Sequence, residues 1–139
     1  MNFTTEQNKA IVVRFNKEFI EQGNINSFNE LISDSVINHS APPGSSTGPD
    51  GMMYFLQHIL RKGFSDIKVE IFEQVAEKDL VTSRKKITGT HTGEIMGIPV
   101  SNKNVTINVI DIIRLKDGKY EEHWGASNFS DVIAEISAK

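Results

Sequence analysis

The chain has 139 residues, no cysteine and a formal net charge of -3, with 15 Lys and Arg residues against 18 Asp and Glu. This length predicts one domain, residues 1–139, with a core large enough to fold without covalent cross-links. The lack of cysteine excludes disulfide scaffolds and cysteine-ligated metal sites. The mixed charges lack the basic surplus that nucleic acid requires, and no apolar run approaches the roughly 20 residues of a membrane span. Because the first residues also lack a secretory signal, we expect a cytoplasmic protein that binds neither nucleic acid nor membrane.

Helical signals occupy the first half of the chain. Thr4 and Gln7 fit a capping box, and the helix that follows is expected to continue to Gly23. Its apolar residues recur at helical spacing: Ile11, Val12, Phe15, Phe19 and Ile20. Asn26 is placed to cap a second short helix, and Pro49 suits the first turn of a third. The apolar face of this third helix consists of Met52, Phe55, Leu56, Ile59 and Leu60.

The apolar period changes to two from Asp66 onward, which is typical of strands. We expect a first strand there, and further strands over residues 80–91, 105–115 and 120–127, followed by a short terminal helix. Asp117-Gly118 predicts a tight hairpin before the last strand. Helices first and antiparallel strands second predict an α+β fold. A curved antiparallel sheet would then wrap around the N-terminal helices as a cone-shaped barrel with an interior pocket.

One face of the strand 105–115 carries an acid among apolar residues. The face consists of Val105, Ile107, Val109, Asp111 and Ile113. A buried carboxylate must be paired, protonated or functional, because burial is costly and raises its pKa. A carboxylate tuned in this way is suited to removing a proton beside a carbonyl. The alternative is a structural Asp111 that pairs with Arg84, Arg114 or a tyrosine hydroxyl.

The histidines offer further candidates for acid/base chemistry. His91 ends its strand on the inward face and is a candidate near the rim of the pocket, or a histidine bonded to a backbone carbonyl. His39 precedes a Pro-Pro-Gly loop, and loops often carry functional residues. His123 and Trp124 point to opposite faces of one strand, so if Trp124 lines the pocket with Asn128, His123 does not. The histidine spacing matches no metal motif, and we predict no metal.

Two residues of the third helix could form part of the pocket wall. Met52 and Phe55 lie on its apolar face, where they could line a cavity or simply fill the core. No phosphate-binding loop or nucleophile elbow accompanies them.

Strings of residues in both halves of the chain are similar to those of one known family. In the first half they are residues 8–15 (NKAIVVRF), 38–44 (NHSAPPG) and 48–51 (GPDG). In the second half they are residues 89–99 (GTHTGEIMGIP), 110–114 (IDIIR) and 117–124 (DGKYEEHW). In this order they resemble the SnoaL-like polyketide cyclases, also called ester cyclases, over almost the whole chain.

This resemblance implies the nuclear transport factor 2-like α+β cone, commonly as a homodimer. The family's cyclases close a ring in aromatic polyketide esters by intramolecular aldol condensation, without cofactor or metal. The matching positions are His39, His91, Asp111, Arg114 and Trp124. Members commonly carry an aspartate shortly after the His-Trp pair, where this chain has Asn128, and an amide cannot act as a general base.

The sequence therefore predicts a cofactor-independent acid/base enzyme acting on a small carbonyl compound. Asp111 is the expected base, with His39 and His91 as further catalytic groups. The expected substrate-binding residues are Asn128, Trp124, Arg114, Met52 and Phe55. A non-catalytic module for a small apolar ligand is the first alternative, because of Asn128. A ketosteroid-isomerase-like proton shuttle is the second, if Tyr54 or Tyr120 faces Asp111.

Overall fold

A computed structural model describes residues 2–138, and its first half is mostly helical. The helical elements are α1 (Thr5–Arg14), the π-helical segment Phe15–Glu21 that continues it, α2 (Ile25–Leu31), α3 (Pro49–Met53), the π-helical segment Tyr54–Leu60, α4 (Arg61–Gly63) and the C-terminal α5 (Phe129–Ser137). The strands are β1 (Ile32–Asn38), β2 (Phe64–Glu77), β3 (Leu80–His91), β4 (Asn104–Lys116) and β5 (Lys119–Ser127). Within residues 2–138, no helix combines the length and apolarity needed to cross a lipid bilayer.

The helix starts follow local capping chemistry. Thr4 and Gln7 form the expected capping box at the start of α1. The cap of α2 is Asn24 rather than Asn26, because the Asn24 side chain accepts hydrogen bonds from the backbone N–H groups of Asn26 and Ser27. A side-chain oxygen that satisfies these otherwise unpaired donors fixes where the helix begins. The chain then turns extended at Ile32, which starts β1 instead of ending α2.

The strands form one five-stranded sheet in the order β1-β5-β4-β3-β2. Strands β2 to β5 pair antiparallel as a meander. The turn between β4 and β5 places Asp117 and Gly118 at positive φ, 52° and 78°, as a tight hairpin turn requires. The expected α+β fold with a curved sheet is confirmed, but the sheet is mixed, because β1 runs parallel to β5.

The helices cover one face of the sheet through an aromatic cluster. The Phe19 ring lies 5.5 Å from Phe15 and 4.9 Å from Phe28, and Phe15 lies 4.7 Å from Tyr120 on β5. All four rings are buried. Aromatic contacts of this kind contribute apolar burial and ring-to-ring attraction together. The cluster therefore fixes the helical layer against the inner face of the sheet.

Replacement of Phe19 by alanine tests this anchoring. Phe19→Ala should lower the free energy of unfolding by about 3–5 kcal/mol, because it leaves a large cavity in a fully buried site. Phe72→Ala is the matched control, since Phe72 is 39% exposed and mainly contacts Arg84 at 4.6 Å; it should cost about 1 kcal/mol. Chemical denaturation measures both, and equal losses would contradict the assignment.

Candidate functional site

A cavity of about 810 Å³ lies between the helical segments and the inner face of the sheet. Most of its wall is apolar and comes from α3, the π-helical segment Tyr54–Leu60 and β4: Met52, Phe55, Leu56, Ile59, Ile107 and Val109. Polar residues also line it, among them a group that we call the polar cluster: Asn38, Lys85, Asp111, Tyr120 and His123. Apolar walls with a few convergent polar groups are typical of small-molecule sites of this size.

A buried ion pair lies on this wall. Asp111 on β4 is 5% exposed and Lys85 on β3 is 4% exposed, and Lys85 Nζ lies 3.2 Å from Asp111 Oδ2. Lys85 Nζ also donates a hydrogen bond to Asn16 Oδ1 at 2.6 Å. Asn16 belongs to the π-helical segment Phe15–Glu21 and donates to the Val12 carbonyl at 2.8 Å. Helix and sheet thus hold the lysine together.

His123 completes the cluster with a defined orientation. Its Nδ1 lies 2.8 Å from Asn38 Oδ1, and the same oxygen accepts the backbone N–H of Ser40 at 3.0 Å. Because this oxygen is an acceptor, Nδ1 carries the hydrogen of that bond. Nε2 consequently faces Asp111, 3.6 Å from Oδ2.

Two opposing effects set the charge state of Asp111. Burial raises the pKa of this carboxyl. The charge of Lys85 and the contacts with His123 together lower the pKa by more than burial raises it, so the pKa lies below its usual value. The carboxylate therefore stays ionised at neutral pH. This outcome corrects the expectation of a raised pKa. Its Oδ1 accepts no hydrogen bond from any residue between 2 and 138.

Gly125 provides the room that His123 needs. It pairs with Asp111 across β4 and β5. A Cβ atom on Gly125 would lie 2.9 Å from Cε1 and 3.2 Å from Nε2 of His123, closer than side-chain atoms normally approach. The missing side chain therefore lets the imidazole lie beside the carboxylate.

Three residues expected at the site line the cavity, namely Asp111, Met52 and Phe55. His91 does not. It is fully buried at the end of β3, its Nδ1 is bonded to Ser101, and its ring contacts Phe64. His91, the last inward-facing residue of β3, therefore contacts the segment that joins β3 to β4 and does not line the cavity.

The other expected residues lie outside the cavity. The His39 ring stacks on Trp124 at 4.8 Å, and its Nε2 lies 2.8 Å from Glu122. Arg114 donates to Glu122 and to Asp79 on the same outer face. The hydrogen bond from His39, together with the hydrogen bond and charge of Arg114, lowers the pKa of Glu122.

Asn128 has a structural position at the start of α5. Its Oδ1 accepts the backbone N–H of Asn108 at 2.8 Å, and its Nδ2 approaches the Thr106 carbonyl at 3.5 Å. It therefore joins α5 to β4 and does not face the polar cluster. Asn128 is not among the residues that line the cavity, although its neighbours Ser127 and Phe129 are.

Four residues that contact Asp111 or its partners were not among the expected site residues: Lys85, His123, Asn16 and Asn38. Lys85 carried a detectable signal, because it lies on the same alternating face of its strand as Val81 and Ile87. His123 was excluded only on the condition that Trp124 lined the pocket, and it is His123 that lines the cavity while Trp124 does not. Asn16 and Asn38 had no signal in the sequence, since their roles depend on contacts with β3 and β5.

The charge state of Asp111 predicts a pH dependence of stability. Its folded-state pKa lies below the ordinary value of 3.8, so it stabilises the fold above that pH and loses this contribution as pH falls through the folded value. Asp111→Asn removes the effect. The difference in unfolding free energy between wild type and variant should therefore shrink as pH falls below 3.8. Urea titrations over the acid range measure it, and a constant difference would contradict the ion pair.

The space at Gly125 predicts a steric coupling with His123. Gly125→Ala should cost about 1–3 kcal/mol, because the imidazole must leave its contact with Asn38 or the strand must shift. In a His123→Ala background the same substitution should cost little, which a double-mutant cycle measures. If the cost is the same in both backgrounds, the contact with His123 is not its cause.

Comparisons with known proteins identify a family and structures of the same fold. The model of the SnoaL-like polyketide cyclase family matches residues 10–136. TsrD from Streptomyces laurentii is 19% identical with a TM-score of 0.84, and 99% of each chain is covered. A candidate SnoaL-like polyketide cyclase from Jannaschia sp. CCS1 is 23% identical with a TM-score of 0.84, covering 100% of this chain and 99% of that one. IdmH, a candidate polyketide cyclase from Streptomyces antibioticus, is 24% identical with a TM-score of 0.81, covering 95% and 99%.

A search of curated proteins finds no significant match. The structural neighbours share the fold along nearly the whole length of the chain. Because the family model extends from the middle of α1 to the penultimate residue of α5, the chain belongs to the SnoaL-like polyketide cyclase family.

Proposed function

We propose that this protein is a cofactor-independent acid/base enzyme of the polyketide cyclase type, acting on a small carbonyl compound. The observation that carries the proposal is the ionised Asp111, whose side chain lines an apolar cavity beside Lys85 and His123. A carboxylate on the wall of such a cavity is able to accept a proton from a bound substrate.

Asp111 performs the first step as the general base. Because its pKa is lowered, it is a weak base and requires an acidic substrate carbon, such as one flanked by two carbonyls. The proton passes from carbon to a carboxylate oxygen of Asp111, and the electron pair of the C–H bond becomes that of an enolate. The apolar wall holds the flexible substrate folded so that the enolate carbon lies near a second carbonyl.

His123 performs the second step as the proton donor. This step starts from the protonated form of His123, in which both ring nitrogens carry hydrogen. The enolate carbon attacks the second carbonyl, a C–C bond forms as the C=O π bond breaks, and the carbonyl oxygen takes the Nε2 proton, which leaves a neutral ring with its hydrogen on Nδ1. Asp111 then returns its proton to Nε2, which lies 3.6 Å away in the resting protein. The net result is one proton moved from carbon to oxygen, with both residues restored.

The remaining parts of the proposal concern assembly and location. We propose a homodimer that acts on a small apolar or carbonyl compound without a metal, as the family resemblance implies. A cytoplasmic location and the lack of a nucleic-acid partner are proposed from the sequence alone. The cavity volume of about 810 Å³ is large enough for a compound of several fused rings. Size-exclusion chromatography with light scattering tests the dimer.

Tyr120 supports a second function, an isomerase. It lines the same cavity, and burial, with a smaller contribution from the charge of Asp111, raises its pKa well above the usual value. A neutral phenol beside a carboxylate base is able to hydrogen-bond a dienolate during a proton shift. Conversion of a β,γ-unsaturated cyclic ketone to its conjugated isomer, lost in Tyr120→Phe, would favour this function over ring closure.

Ring closure is tested with an aromatic polyketide ester that carries a 1,3-dicarbonyl carbon. Asp111→Asn should lower kcat at least about 100-fold, and His123→Gln should lower it about tenfold or more, since each removes a proton-transfer group. Product formation is followed by absorbance and mass spectrometry.

Asp34→Asn is the matched control, because this exposed aspartate on β1 lies away from the cavity, and it should turn over like wild type. Full activity in Asp111→Asn would show that Asp111 is not the base. Retention of the ester without any conversion by the wild type would indicate a binding module instead. Asn128 gives no support to that module, since it lies outside the cavity.

A further inference from the structure

Lys85 has a donor that its known contacts do not use. An ammonium group has three N–H donors. One faces Asp111 Oδ2 at 3.2 Å and one is bonded to Asn16 Oδ1 at 2.6 Å. Lys85 is 4% exposed, and its side chain lines the cavity. Within residues 2–138 these are the two polar contacts of Nζ, so its third donor remains for a bound molecule.

The charge of Lys85 constrains what happens when Asp111 is protonated. A buried ammonium without an anionic partner is strongly unfavourable. In the resting protein that partner is Asp111. When Asp111 accepts a proton it becomes neutral, and a new negative charge appears on the substrate oxygen. Lys85 keeps an anionic partner only if this oxygen takes the place of Asp111 beside its ammonium group.

We propose that Lys85 is an oxyanion-binding residue whose ammonium exchanges its partner from Asp111 to the enolate oxygen of the substrate. This inference rests on the proposed function and names its substrate class: planar compounds whose bound form carries an enolate or phenolate oxygen. Asn16 is the positioning residue that keeps Nζ in place while the partner changes. A fixed donor that needs no reorganisation is the usual means of stabilising a developing negative charge.

The arrangement leads to an unusual expectation for anion binding. In the wild type, the carboxylate of Asp111 already occupies Lys85 and repels a second anion. Asp111→Asn leaves the ammonium without an anionic partner, so this variant should bind an oxyanion more tightly, although it loses the proposed base. A purely structural lysine would not produce this gain.

Binding of para-nitrophenolate in mildly alkaline buffer tests the inference without any turnover. The ionised form is followed by its absorbance, and its affinity by calorimetry. Asp111→Asn should bind it at least about tenfold more tightly than wild type. Asp111→Asn combined with Lys85→Met should lose that gain. This double variant carries no unpaired buried charge at the two positions, so it should fold even if Lys85→Met alone does not.

Lys86→Met is the matched control. Lys86 is the neighbouring lysine on β3, points outward and lies near Glu70, so combining it with Asp111→Asn should leave the gain intact. No tighter binding in Asp111→Asn, or a gain that survives the loss of Lys85, would overturn the inference. Both results leave the base assignment untouched, because that assignment depends on turnover of the ester. Loss of turnover with an unchanged phenolate affinity would thus refute only the role of Lys85.

Discussion

The ion pair between Lys85 and Asp111 is the constraint on which the site depends. Both side chains are almost fully buried and lie 3.2 Å apart, so each makes the burial of the other possible. Loss of one partner from such a pair commonly costs several kcal/mol, whereas replacement of both by apolar residues is often neutral. Stability alone therefore gives no reason to have the pair. A charged pair on the wall of a cavity instead keeps a carboxylate ionised in surroundings that would otherwise protonate it.

The π-helical segments connect this pair to the shape of the cavity. The segment Phe15–Glu21 carries Asn16, which bonds Lys85, and the segment Tyr54–Leu60 supplies much of the apolar wall. π-Helical turns widen a helix and often occur at functional sites. Here the first segment brings a buried amide to a lysine of the sheet. The helical layer thus contributes both the apolar surface and one polar contact that fixes the cation.

The sequence predicted the fold and the inward position of Asp111, because both follow from local periodicity. It failed on β5 because of a bulge. The pairing changes from Leu115 with Tyr120 to Arg114 with Glu122, so one extra residue reverses the alternation of side chains. Strict alternation from the buried Tyr120 would place Trp124 inward, whereas the bulge places His123 there. Such a bulge depends on the partner strand and leaves no signal in a single sequence. The partner of Asp111 was missed for a related reason, since Lys85 meets it only through non-local pairing of β3 with β4.

The lowered pKa of Asp111 limits the chemistry that this cavity supports. A weakly basic carboxylate transfers protons efficiently only from carbons that are already acidic, because proton transfer slows as the two pKa values move apart. Lys85 lowers the basicity of Asp111. In the proposed mechanism the same cation stabilises the enolate oxygen, so Lys85 lowers the barrier only if the new negative charge forms within reach of its ammonium group. Carbons between two carbonyls satisfy both requirements: they are acidic, and their enolate charge lies on oxygen. In the proposed mechanism, the buried pair would therefore select activated dicarbonyl compounds over simple ketones, and it would do so through charge rather than through the shape of the apolar wall.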